Sequence, residues 1–111
     1  MGKKSKRKGY RIEHEIEGIL TREGVNAKRI PLSGSSWLKG DIFIELFGKG
    51  YVGEVKARKE GFKEIYKWLD GKDFLFLRAD RKDFLIVMSI KTFLKVIRSD
   101  GKVRWKLRQE R

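Results

Sequence analysis

The sequence predicts an α/β fold, a small mixed β-sheet flanked by helices. Three observations carry that prediction. Apolar side chains recur at helical spacing in three separate stretches. Between those stretches lie short runs of β-branched and aromatic residues, bounded by Gly, Asp and Ser. The chain has 111 residues, enough for one domain with one core.

Residues 1–9, MGKKSKRKG, carry Lys3, Lys4, Lys6, Arg7 and Lys8 and no apolar anchor beyond Met1. They read as a flexible basic arm. The domain proper is expected over residues 10–98, with a basic tail or edge strand over 99–111. Tyr10 to Glu23 reads as the first helix. Ile12, Ile16, Ile19 and Leu20 form its apolar stripe, and Gly24 stops it. Glu13 sits at the edge of that stripe. It is placed either to reach the sheet or to serve as a surface acid near the helix start, where the dipole favours it. Glu17 and Glu23 are expected to turn outward.

Val25 to Ile30 reads as a short strand. The loop that follows, PLSGSSWLK, holds Ser33, Ser35 and Trp37. Trp37 is expected either to stack on a nucleic-acid base or to fold over the core. Gly40 to Lys56, GDIFIELFGKGYVGEVK, reads as a β-hairpin. A two-residue turn at Gly48-Lys49 places Phe43 opposite Glu54 and Asp41 opposite Lys56. Ile42, Ile44, Leu46, Tyr51, Gly53 and Val55 then share one buried face. The other face gathers Asp41, Glu45, Glu54 and Lys56. Glu54 and Lys56 point to the same side, roughly 7 Å apart at the backbone. Asp41 lies diagonal to Glu54 at about 7–8 Å between Cβ atoms, a gap that one metal ion can bridge.

Lys59 to Asp70 reads as a second helix, with Phe62, Ile65, Tyr66 and Leu69 inward and Gly71 as its stop. Trp68 falls off that stripe, as a contact residue would. Phe74–Ala79 and Phe84–Ser89 read as strands joined at Asp80-Arg81-Lys82. Ser89 is a natural cap for a third helix to Arg98, with Ile90, Phe93, Leu94 and Ile97 inward. After the Asp100-Gly101 turn, Val103, Trp105 and Leu107 alternate with basic residues.

The net charge is +13, from 28 Lys and Arg against 15 Asp and Glu. On so small a domain this points to a polyanion, with nucleic acid ahead of a membrane surface. No apolar run approaches the ~18 residues of a membrane span, and no secretion signal is seen. The expected location is the cytoplasm, in association with the nucleoid. With no cysteine there is no disulfide, thiolate metal site or cysteine nucleophile. One histidine makes no zinc cluster. Acids placed where they would repel DNA make sense when Mg²⁺ stands between them and phosphate. That favours phosphodiester chemistry over simple binding.

Asp41 followed by Glu54-Val55-Lys56 resembles the PD-(D/E)XK nuclease superfamily. Lys8-Gly9, Glu13 in the first helix, Arg29 and a Ser/Gly loop before the Asp make it similar to the archaeal-type Holliday junction resolvases. The resemblance runs from about residue 7 to 56 and, as element order, to about residue 98. It implies a restriction-endonuclease-like fold and a magnesium-dependent site of Glu13, Asp41, Glu54 and Lys56, with Mn²⁺ as a substitute metal. Glu13, Asp41 and Glu54 would be the metal ligands. A loop serine, Ser33 or Ser35, would act near the scissile phosphate. Lys3, Lys4, Lys6, Arg7, Lys8 and Arg11 are expected on DNA, as are Arg29, Trp37, Lys39 and Arg58. The family works as a homodimer that cuts two opposed strands of a four-way junction. His14 stands where Arg is common after the helix Glu, and Pro31 and Trp37 make the loop unlike the usual one. Two other readings stand beside this one: a nicking or restriction-type nuclease on the same scaffold, and a non-catalytic DNA-binding module.

Overall fold

The computed structural model describes residues 2–31 and 38–98, with side chains from Gly9 onward. Ser33, Ser35, Trp37 and the tail from residue 99 lie outside the described residues. The chain divides into two compact units, Met1–Glu60 and Gly61–Arg111.

The first unit begins with helix α1, Gly2–Arg22, followed by strands β1 (Asn26–Arg29), β2 (Ile42–Leu46) and β3 (Lys49–Gly53). The helix starts at Gly2, where the sequence predicts an arm up to Gly9. Once packed turns have paid for nucleation, each further residue adds a hydrogen bond, and Lys and Arg are good helix formers. At the other end Gly24 takes φ 87. Its N–H bonds Thr21 O at 3.1 Å, and Val25 N–H bonds Leu20 O at 2.9 Å. These are the two bonds of a Schellman stop, so the expected glycine terminator is present.

The sheet order is β1-β2-β3, antiparallel throughout. α1 lies against β1, and the core is small: Leu20, Val25, Ala27, Ile30 and Ile42 are buried. The hairpin register differs from the expected one. Ile42 faces Gly53, Ile44 faces Tyr51 and Leu46 faces Lys49, which makes Phe47-Gly48 the turn. Both turn residues have positive φ, 53 and 78, as a type I′ turn requires. The slide of two positions keeps every strand residue on its predicted face. It also lays the Phe43 ring across Gly50, where an added Cβ would come within 2.7 Å of Phe43 Cε1. Glycine on a strand covered by an aromatic ring is a device that pins register. Tyr51, expected inward, is exposed.

The second unit holds α2 (Lys63–Leu69), β4 (Leu75–Leu77), β5 (Leu85–Val87) and α3 (Ile90–Arg98). α2 is shorter than expected and buries none of its residues. Tyr66, assigned to its apolar stripe, is 74% exposed, and Trp68 is outward as expected. The β4–β5 hairpin closes through Lys82 N–H to Ala79 O at 3.1 Å. Ser89 caps α3: Thr92 N–H donates to its Oγ at 3.2 Å. Leu94 is buried. The α/β class holds, and the described strands form one three-stranded and one two-stranded antiparallel sheet. Among the described residues no helix is long and apolar enough to cross a membrane.

Candidate nuclease site

Asp41 stands where the sheet changes character. Its carbonyl accepts Ile30 N–H and its N–H donates to Gly53 O, both at 2.9 Å. Gly53 already faces Ile42. Two consecutive residues therefore meet one, as at a β-bulge, a device that re-aims a side chain. The Asp41 carboxylate is aimed at the segment just past β3, where Oδ2 accepts the Val55 N–H at 2.7 Å. This carboxylate takes the place of a ladder carbonyl. It fixes the backbone residue between Glu54 and Lys56. Those two side chains point the same way, and Lys56 Nζ lies 3.2 Å from Glu54 Oε2, both more than half exposed. Asp41, Glu54 and Lys56 are thus brought to one end of the sheet, tied by a hydrogen bond that sequence spacing does not show.

Glu13 belongs to a second constellation, centred on Arg29. The Arg29 backbone N–H donates to Glu17 Oε2 at 2.7 Å. Its Nε lies 3.5 Å from Glu13 Oε1, with both side chains about 15% exposed or less. Its guanidinium carbon stands 3.6 Å from the centre of the Tyr10 ring. Burial works to lower the Arg29 pKa, but Tyr10 and Glu13 outweigh it and the pKa is raised. The group is a permanent cation. Tyr10, Glu13 and Glu17 recur at i, i+3 and i+7, a polar stripe beside the apolar one. That spacing is the signal in the sequence that could have found Tyr10 and Glu17. Glu17, expected outward, turns in to β1 because an unpaired strand N–H there needs an acceptor.

Among the described residues no group of three or more His, Cys, Asp or Glu side chains gathers as a metal cage. Arg11, Lys39 and Arg58 are exposed, as DNA contacts would be. Lys3, Lys4, Lys6, Arg7 and Lys8 lie on the first turns of α1. A cleft of about 270 Å³ opens beside Lys56, between Gly9 and Ile12 on α1 and residues 55–59.

The family model of the archaeal Holliday junction resolvases (Hjc) matches residues 4–100. The chain belongs to that family. Membership in the Hjc family implies a junction-resolving nuclease and a branched-DNA ligand, in recombination and repair. The match covers the Asp41–Lys56 hairpin, the whole of α3 and α1 from its third residue. No curated protein and no solved structure matches the chain.

Proposed function

We propose that this Hjc-family chain is a Mg²⁺-dependent endodeoxyribonuclease that resolves four-way DNA junctions by paired cuts, as a homodimer. The observation that carries the reading is the Asp41–Val55 bond, which couples the sheet-end aspartate to the Glu54-Val55-Lys56 strand end. An acid anchored by backbone at three points, next to a second acid and a lysine, is a costly arrangement for a surface with no chemistry to perform.

The donor set suits the metal. It consists of carboxylate oxygens, with no thiol and no imidazole among the three residues. Mg²⁺ is commonly held by one or two carboxylates together with waters and substrate phosphate, so a pair needs no full protein cage. Asp41 Oδ1 and the Glu54 carboxylate would hold it, and Glu13 is the candidate for a further ligand. When bound, the ion neutralises charge on the phosphodiester and acidifies a water. The chain's own residues do the rest. Val55 N–H orients Asp41. Lys56, held by Glu54, supplies a cation at the scissile phosphate and a group within reach of a water proton. Arg29 keeps α1 in register with β1 and so sets the position of Glu13.

Two opposed cuts need two sites, and a two-fold dimer supplies them. Trp68, Phe76, Phe84, Leu85 and Ile86 are exposed apolar groups of the second unit that such an interface would cover. The decisive experiment is cleavage of four-way, nicked, linear and single-stranded DNA with and without Mg²⁺. Selective cutting of the four-way substrate supports the reading. Cutting only one strand favours a nickase, and binding without cutting favours a DNA-binding module.

A further inference from the structure

Gly9 is out of place in α1. A glycine inside a helix weakens it relative to alanine. Among the described residues packing does not require the exception, since a Cβ added at Gly9 would meet nothing within 4 Å. Gly9 is also one of the residues that line the cleft beside Lys56. Its opposite wall carries three cations: Lys56, Arg58 and Lys59. Lys56 is committed to Glu54 at 3.2 Å. Arg58 is exposed, and its Nη1 donates to Ala57 O at 3.1 Å. Lys59 makes no ion pair or hydrogen bond among the described residues.

The cleft's size and chemistry narrow the occupant. At about 270 Å³ it falls just below the ~300–1,000 Å³ of drug-sized ligand pockets, so it suits a small group. Among the described residues its lining holds no aromatic ring on which a base would stack. Ile12 gives it one apolar side, and the cations give it a strong preference for an anion. A helix residue without a side chain lets such an anion come close to the backbone.

We infer that this cleft is a phosphodiester subsite for the DNA strand next to the scissile phosphate, with Gly9 as the point of close approach and Arg58 and Lys59 as its cationic wall. The inference rests on the nuclease reading and extends it to a named neighbour phosphate. Gly9 keeps the cleft open, and among the described residues of its wall Lys59 is the cation without an ion pair or hydrogen bond.

The test is equilibrium binding of the full-length chain to duplex and four-way DNA in EDTA across a salt series, so it does not depend on cleavage. Gly9→Leu fills the cleft while improving helix propensity, so its thermal midpoint stays at or above that of the wild type. Its affinity should fall roughly tenfold, the loss of one charge-assisted contact. Lys59→Gln should lower the slope of log K against log salt by about 0.9. The double variant should lose less than the product of the single losses, because both act on one phosphate. Wild-type affinity in Gly9→Leu, or an unchanged slope in Lys59→Gln, overturns the inference. Because no metal is present, a chain that failed to cleave any DNA would sink the nuclease reading without deciding this result.

Discussion

The Asp41 carboxylate accepts the backbone N–H of Val55 at 2.7 Å, and so one acid positions the strand end that carries the other acid and the lysine. This separates two roles that substitutions can pull apart. The amide of Asp41→Asn would keep an acceptor oxygen for Val55 but lose the charge. That variant should therefore melt within a few degrees of wild type, bind junction DNA as tightly or more tightly, and lose cleavage. Asp41→Ala leaves a part-buried N–H without its partner and should also lose about 1–3 kcal/mol of stability. Parallel cleavage assays and urea titrations check both, and near-wild-type cutting by Asp41→Asn would remove Asp41 from the site.

The clamp around Arg29 makes a second prediction. Arg29→Lys keeps the charge but not the planar group that meets both Glu13 and the Tyr10 face. It should behave nearly as badly as Arg29→Ala. Tyr10→Leu should cost about 1 kcal/mol, because it removes the ring face over the guanidinium. Chemical denaturation distinguishes them. A fully stable Arg29→Lys would mean that the contact is charge alone.

The hairpin turn gives a prediction of opposite sign. Phe47 holds φ 53 and is 80% exposed, so it endures left-handed strain for no burial. Asn-Gly is the favoured type I′ pair. Phe47→Asn should raise stability by about 1 kcal/mol. An unchanged or lower midpoint in urea would show that the ring is engaged elsewhere.

Gly40 has φ 144, and a Cβ there would run into the Val52 side chain and stand 3.2 Å from Gly53 O. Gly40→Ala should cost more than about 2 kcal/mol, roughly the sum of backbone strain and overpacking. Because it adjoins Asp41, cleavage should fall further than the unfolded fraction explains. Circular dichroism melts beside single-turnover rates would show whether it does.

Much of this is readable from the residues. The helix stripe, its Gly24 stop, the Ser89 cap and the alternating faces of the hairpin all follow from local spacing. The turn does not, because Gly48-Lys49 and Phe47-Gly48 are both plausible pairs and the choice depends on a Phe43 ring lying over Gly50. Nor does the Asp41 anchor, since a bulge breaks the alternation from which its direction is inferred. For Glu13 and Glu17 the sequence shows acids on a helix. Only the strand beside them shows that they serve one arginine.

α1 is continuous from Gly2 to Arg22, and its grip on the sheet is at Tyr10, Glu13 and Glu17. Residues 2–9 therefore continue the same rod for about 12 Å. Its backbone is ordered before any partner arrives. A loose tail would surrender conformational freedom on each encounter with DNA, and a rod has already surrendered it during folding. In the proposed junction complex it would reach out from Arg29 with a fixed length and bearing, as a ruler does.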